Sequence, residues 1–140
     1  MTLISVLIVD DNEELLKVFV EGLPLAGPFA VLTARDGVEG LHMFYEHHPA
    51  CVVIDVKMPA LDGYQLLRVF RGDPETTDVP LIILTALPQD QAEFASLASG
   101  TDQFLVKPVT PRELAQAVQQ ALHINAEQRE KNMQRLAENE

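Results

Sequence analysis

Five short apolar segments recur along the chain and are separated by longer segments with apolar residues at helical spacing. They are residues 3–9, 29–34, 51–54, 81–84 and 104–106. The first, third and fourth are almost continuous runs of Val, Ile and Leu, which is typical of strands buried on both faces of a parallel sheet. The pattern therefore predicts five parallel strands.

A helix start signal follows each predicted strand. Capping residues open the first three helices, a first-turn proline opens the fourth, and a capping box with proline at its first position opens the fifth. In chain order the signals are Asp11 with Glu14, Asp36 with Glu39, Asp62 with Gln65, Pro88, and residues 110–113. Strands that alternate with helices predict an α/β fold, (βα)5, with an open parallel sheet covered on both faces.

Periodic apolar residues predict which helix faces pack on the sheet. The spacing is three and four residues in the first and third helices. The residues concerned are Leu15, Leu16, Phe19 and Leu23 in the first, and Leu66, Val69 and Phe70 in the third.

Composition and charge narrow the class of protein. The chain has 140 residues, enough for one domain, and carries a formal net charge of −11, which argues against direct binding to nucleic acid or to an anionic membrane. No apolar run approaches the length of about 18 residues that a membrane span needs, and the N-terminus lacks the basic start of a signal peptide. The single cysteine, Cys51, lies in an apolar run, so we expect a buried thiol and a cytoplasmic, reducing location.

Chemically reactive side chains stand where the predicted strands end. Asp10 and Asp11 follow the first strand, Asp55 ends the third, Thr85 ends the fourth and Lys107 follows the fifth. Ligands of open α/β sheets bind beyond these carboxyl ends, so the five side chains should converge. Three carboxylates and one ammonium leave two negative charges, and hard oxygen ligands without Cys or His favour Mg²⁺. Such a site suits phosphoryl transfer to a carboxylate.

Four motifs give the chain a specific resemblance. LIVDDN at 7–12, VVIDVKMPALDGY at 52–64, PLIILTA at 80–86 and FLVKP at 104–108 resemble, in this order and at this spacing, the receiver domain of two-component response regulators. The resemblance covers residue 3 to about residue 123. It implies a flavodoxin-like fold, a doubly wound five-stranded sheet with strand order 2-1-3-4-5.

The resemblance also implies roles for the residues at the strand ends. Asp55 is the expected phosphoacceptor, supplied by a histidine kinase or a histidine phosphotransfer protein. Asp11 and Asp55 are expected to bind Mg²⁺ directly and Asp10 mainly through water, while the backbone carbonyl of Lys57 completes the metal site. The receiver would catalyse only its own phosphorylation and dephosphorylation, so a classical enzyme is not expected.

Further roles concern the response to phosphorylation. By the same resemblance, Thr85 and Lys107 contact the phosphoryl oxygens, and Thr85 with the aromatic Phe104 forms the conformational switch. The peptide bond between Lys107 and Pro108 is expected to be cis, which the background frequency of cis proline would not predict.

Three other functions compete with this interpretation. A phosphatase of the haloacid dehalogenase type would need a second Asp two residues after the nucleophile, where this chain has Lys57, and room for a cap domain. A flavin-binding flavodoxin would need a phosphate loop after the first strand, where Asp10 and Asp11 would repel phosphate. A phosphate-independent adaptor would not take up phosphoryl groups.

The C-terminal residues suggest an extension of the last helix. We expect a receiver domain at 1–123 and a helical extension or linker at 124–140, because no Gly or Pro interrupts the helical pattern. A helix this polar would be marginal alone, so we expect a partner: a second copy, or an output domain if the chain is a fragment. A homodimer could form through this helix or through the face of the predicted fourth helix, fifth strand and fifth helix. A frayed, solvated tail is the alternative.

Overall fold

A single parallel sheet organises the part of the chain that the computed structural model describes, residues 2–55, 63–85 and 101–123. Its strand order is β2-β1-β3-β4-β5, which confirms the predicted doubly wound, flavodoxin-like α/β fold. The elements in chain order are β1 (Ile4–Val9), α1 (Glu13–Ala26), β2 (Phe29–Ala34), α2 (Gly37–His47), β3 (Cys51–Asp55), α3 (Gly63–Gly72), β4 (Leu81–Thr85), β5 (Gln103–Val106) and α4 (Pro111–Leu122).

Not every predicted helix lies within the described residues. Helix α4 is the helix that the sequence predicts as the fifth, and its capping box is present as predicted. The helix expected after Pro88 and the extension at 124–140 lie outside the described residues. None of the helices within the described ranges is both long and apolar enough to cross a membrane.

The two faces of the sheet bury two apolar layers. On one face, α1 and α4 cover strand residues such as Val6 and Ile8; on the other, α2 and α3 cover Leu7 and Val9. This alternation follows from the period of two along a strand, and it explains why β1, β3 and β4 need apolar residues at nearly every position. Cys51 belongs to the first layer and is fully buried, as expected.

Two helix faces differ from the sequence prediction. Leu66 and Phe70 of α3 are buried as predicted, but Val69 is exposed and Leu67 takes its place. In α1, Leu16, Phe19 and Leu23 are buried, whereas Leu15 is only partly buried at the edge of the layer. Periodicity identified the right face in both helices but not its exact width.

A buried ion pair closes the opposite, amino-terminal edge of the sheet. Arg71, near the end of α3, lies with its Nη2 atom 3.3 Å from Oδ2 of Asp102, and both side chains are almost completely buried. Its Nη1 donates to the carbonyls of Thr77 and Val79, and Asp102 also accepts from the backbone N–H of Leu81. The pair therefore fastens α3 and the following loop to the beginnings of β4 and β5.

Candidate functional site

The end of β1 places Asp10 in the middle of the carboxyl edge of the sheet. Its backbone N–H donates to the carbonyl of Ala34 at 2.9 Å, and its side-chain Oδ1 accepts from the backbone N–H of Asn12 at 2.9 Å. The residue is fully buried. Asp10 is thus a carboxylate held in a fixed orientation beneath the turn that leads into α1.

Asp11 is exposed on the same turn. The sequence predicted that Asp11 caps α1, and this prediction is wrong. The cap is the next residue, Asn12, whose Oδ1 accepts from the backbone N–H groups of Glu14 and Leu15 at 3.1 and 3.2 Å. Both residue types are good helix caps, and the turn after Asp10 selects the second. The carboxylate of Asp11 is thereby available to the site.

Three carboxylates converge at this edge. One oxygen from each of Asp10, Asp11 and Asp55 lies within 4.8 Å of the other two, a spacing that suits a single metal ion. All three are hard oxygen ligands of the kind that Mg²⁺ prefers, and two of them are buried, so the donor set fits the predicted ion. The backbone of Lys57, the fourth predicted ligand, lies outside the described residues.

Lys107 brings the only positive charge that directly contacts these carboxylates in the described part of the chain. It follows β5, and its backbone N–H donates to the carbonyl of Thr85 at 2.7 Å. Its Nζ lies 3.1 Å from Oδ1 of Asp55 and 3.4 Å from Oδ2 of Asp10. The peptide bond to Pro108 is cis, as the resemblance implies.

Burial and charge crowding perturb this site. Burial, reinforced by the negative charge of Asp10, raises the pKa of Asp55 to about 6, although the ammonium of Lys107 opposes the shift. Partial burial alone would lower the pKa of Lys107, but the charges of Asp55 and Asp10 outweigh it and raise that pKa. One ammonium therefore contacts two buried carboxylates, and the excess negative charge favours the binding of a further cation.

Thr85 and Phe104 occupy neighbouring strands beside the carboxylates. Thr85 ends β4 and is buried, and it pairs in register with Val106 of β5. Phe104 pairs with Ile83, two residues earlier on β4, and packs partly buried against the layer beneath α2 and α3. In register, parallel strands direct paired side chains to the same face, so Thr85 and Phe104 share that face of the sheet.

One feature of this edge has no counterpart in the sequence prediction. Arg35 directly follows β2, and its Nη1 lies 2.6 Å from Oε1 of Glu13 at the beginning of α1. The backbone N–H of Arg35 also donates to Glu39 at 3.3 Å. Its position after the second predicted strand would have placed Arg35 at the same edge, because strand ends coincide in a parallel sheet.

Comparison with known proteins identifies the family. The family model described as "Response regulator receiver domain" matches residues 6–119. Over 118 residues the chain is 40% identical to "Probable transcriptional regulator ycf27" of Guillardia theta, covering 84% of this chain and 45% of that protein. It is 38% identical over 117 residues to "Transcriptional regulatory protein PrrA" of Mycobacterium bovis, covering 84% and 49%. The chain thus spans about half the length of the curated relatives it matches.

Solved structures agree with this match. A response regulator receiver domain protein of Clostridium thermocellum is 34% identical, with a TM-score of 0.74 and coverage of 86% of this chain and 94% of the other. The chemotaxis response regulator CheY4 of Vibrio cholerae is 28% identical, with a TM-score of 0.76 and coverage of 86% and 99%. The chain belongs to the response regulator receiver domain family.

Proposed function

We propose that this receiver is a signalling switch activated by phosphorylation of Asp55. The observation that carries the proposal is the position of the Asp55 carboxylate, 3.1 Å from the ammonium of Lys107 and clustered with Asp10 and Asp11. Family membership supports a signalling role rather than that of a classical enzyme. Its catalysis would be limited to its own phosphorylation and dephosphorylation.

In this proposal Asp55 acts as the nucleophile. One carboxylate oxygen forms a bond to phosphorus while the bond between phosphorus and the donor breaks, and the donor leaves with that electron pair. A histidine kinase or phosphotransfer protein would donate from phosphohistidine, and the released imidazole takes up a proton. Because the pKa of Asp55 is about 6, the reactive carboxylate predominates at neutral pH.

Asp10, Asp11 and Asp55, with the backbone carbonyl of Lys57, would hold Mg²⁺. The bound ion would neutralise charge on the phosphoryl oxygens. Lys107 would add a fixed positive charge from the other side, because it already lies within contact distance of Asp10 and Asp55. The two excess negative charges of the described site favour this arrangement.

The switch in this proposal couples the new phosphoryl group to β4 and β5. Thr85 would donate its hydroxyl hydrogen to a phosphoryl oxygen, and Phe104 on the adjacent strand would repack in response. The positions of both residues on one face of the sheet support this coupling. Phosphate need only bind one of two pre-existing conformations better in order to shift the population.

The partners follow from the family and from the relatives' names. Relatives that this chain matches over only 45% and 49% of their length are named transcriptional regulators, so we propose that residues 1–123 form the receiver and 124–140 a linker or extension towards an output element. The receiver itself would bind no nucleic acid. A cytoplasmic location and a homodimer, through the extension or the face that includes β5 and α4, complete the proposal.

Mass spectrometry after incubation with acetyl phosphate and Mg²⁺ tests the central step. We expect one phosphoryl adduct, which disappears in Asp55→Asn and when the metal is chelated. Asp36→Asn is a matched control, because Asp36 caps α2 at the same edge of the sheet and asparagine caps equally well. It should retain the adduct. A full yield of adduct in Asp55→Asn would refute the assignment.

Two alternatives are not favoured. The family match does not support a haloacid dehalogenase type phosphatase, and residue 57 is a lysine rather than the second aspartate of such enzymes. A phosphate-independent adaptor would show no adduct in the experiment above.

A further inference from the structure

Arg35 lies at the rim of the site described above. Ala34, the residue before it, accepts a hydrogen bond from the backbone N–H of Asp10, so the two chain segments are adjacent. From there the Arg35 side chain reaches across to Glu13, which stands three residues after Asp10. The Arg35 side chain is 63% exposed and the Glu13 side chain 70% exposed, so both are accessible to a ligand that approaches from solvent.

Few positive charges lie at this edge in residues 2–55, 63–85 and 101–123. Among the described residues, only Arg35 and Lys107 are cations that directly follow the carboxyl end of a strand. Lys107 is inside the site and already contacts two carboxylates. Any donor of a phosphoryl group is an anion, and it approaches an edge that is rich in carboxylates. The Lys107 side chain is only 25% exposed and that of Arg35 is 63% exposed, so Arg35 is the more accessible of the two to an anion that approaches from solvent.

We propose that Arg35 binds the phosphoryl group of an incoming donor at the entrance of the site, exchanging Glu13 for the donor's oxygens before transfer. This inference rests on the proposed phosphorylation of Asp55. Acyl phosphates and phosphoramidates, including phosphorylated imidazoles, share the terminal phosphoryl oxygens that a guanidinium binds in bidentate fashion. Because exposed ion pairs are weak, little stabilises the contact with Glu13 against this exchange.

A purely structural role of the ion pair makes a different prediction. If the pair only fastened β2 to α1, breaking it from either side would change the reaction in the same direction. If Arg35 binds the donor and Glu13 competes for it, Arg35→Gln and Glu13→Gln must act in opposite directions. The two single variants therefore separate the two roles.

The experiment measures initial rates of adduct formation against donor concentration at saturating Mg²⁺, with acetyl phosphate, phosphoramidate and phosphoimidazole as probes. For Arg35→Gln we expect the half-saturating donor concentration to rise about threefold to tenfold with little change in the maximal rate. For Glu13→Gln we expect the half-saturating donor concentration to fall about twofold. Arg35→Lys should restore part of the loss. Both shifts should shrink at high salt, since exposed charges are screened.

Arg112→Gln is the matched control. It removes the same charge from an exposed arginine that lines a surface groove with Phe29, the first residue of β2. Arg35 follows the last residue of this strand of 6 residues, so about 20 Å of strand separates the two ends. We expect the control to match the unaltered protein. Equal effects of Arg35→Gln and Arg112→Gln would overturn the proposal, and so would shifts of the same sign in Arg35→Gln and Glu13→Gln.

A second measurement separates this inference from the proposed function. Acetonylphosphonate, a non-transferable analogue of acetyl phosphate, is titrated into Asp55→Asn, and the side-chain N–H signals of arginine are followed by NMR. We expect the Arg35 signal to shift in a saturable way while that of Arg112 does not. If Arg35 does not respond although the unaltered protein is phosphorylated, the inference fails and the proposed function stands. If the unaltered protein takes up no phosphoryl group, both fail.

Discussion

Two clusters of buried charge lie at opposite edges of the same sheet, and they are built differently. At the amino edge, the cation Arg71 pairs with the anion Asp102. Arg71 also donates hydrogen bonds to two backbone carbonyls, and Asp102 accepts one from a backbone N–H. At the carboxyl edge, the ammonium of Lys107 faces both Asp10 and Asp55. Counted over the residues that the structure describes, the first cluster is balanced in charge, and the second is not.

The difference separates a structural role from a chemical one. A buried pair whose polar atoms are all bonded gains little from a further ligand, and it resists change because either partner alone would be an uncompensated buried charge. An excess of negative charge does the reverse. Burial, together with the negative charge of Asp10, raises the pKa of Asp55, and the excess charge favours the binding of cations. Buried charges alone therefore do not mark a functional site, whereas an imbalance among them does.

The largest expected effect concerns the balanced cluster. Asp102→Ala should lower the free energy of unfolding by about 3–5 kcal/mol, because it leaves Arg71 buried without its counter-charge. Urea denaturation followed by circular dichroism measures the change. Asp78→Ala, which removes an exposed aspartate from the loop after α3, should cost less than about 0.5 kcal/mol. Equal losses in the two variants would contradict the structural role of the pair.

The unbalanced cluster should respond to metal instead. At a Mg²⁺ concentration ten times the dissociation constant, binding to the folded state should add about 1.4 kcal/mol to the free energy of unfolding. We expect Asp11→Ala to weaken this stabilisation more than Asp10→Ala does, because Asp11 is proposed as the direct ligand. Thermal unfolding with and without Mg²⁺ measures the stabilisation by the metal. A potassium salt of equal ionic strength, free of Ca²⁺, is the control. A stabilisation that survives in Asp11→Ala would place the ion elsewhere.

The pH dependence of stability sharpens the same contrast. Because the pKa of Asp55 is about 6 in the folded protein and near 3.8 when unfolded, the folded state binds more protons between these values. Stability contributed by this group therefore falls as the pH rises through that window. Without metal, Asp55→Asn should be more stable than the unaltered protein by about 1 kcal/mol at pH 7.5, after allowance for solvent screening.

The gain in Asp55→Asn should shrink as the pH falls from about 6 towards 4, because the unaltered carboxyl is then protonated and uncharged as well. A gain that is constant over the range would mean that the raised pKa of Asp55 is not its cause.

The two clusters also differ in how far the sequence predicts them. Asp10, Asp55, Thr85 and Lys107 each end or directly follow an apolar run, and parallel strand ends meet at one edge, so their convergence follows from pattern and topology. Arg71 and Asp102 stand 31 residues apart, one on a helix and one before a strand. Neither periodicity nor a motif links a helix terminus to the start of a distant strand, so this contact required the structure.

Local choices were hard to predict for another reason. Asp11 and Asn12 are adjacent and both cap helices well, so propensity does not distinguish them. The bond from the backbone N–H of Asn12 to Asp10 fixes the turn and makes Asn12 the cap. Similarly, Val69 and Leu67 lie close to the boundary of the buried face of α3, and the packing of α3 on the sheet, rather than its periodicity, decides which one is covered.

The smallest expected effect concerns the pair of Arg35 and Glu13, whose nitrogen and oxygen atoms are only 2.6 Å apart, closer than the 3.3 Å of Arg71 and Asp102. Distance alone would rank the exposed pair as the stronger one. Exposure reverses the order, because water solvates both separated groups and dissolved salt screens them. In urea denaturation we expect Arg35→Gln, Glu13→Gln and the double variant to share the midpoint of the unaltered protein within the scatter of repeat measurements. A clear loss in both single variants, with none further in the double variant, would show instead that the pair holds β2 and α1 together, and the contrast between exposed and buried pairs would then fail at this position.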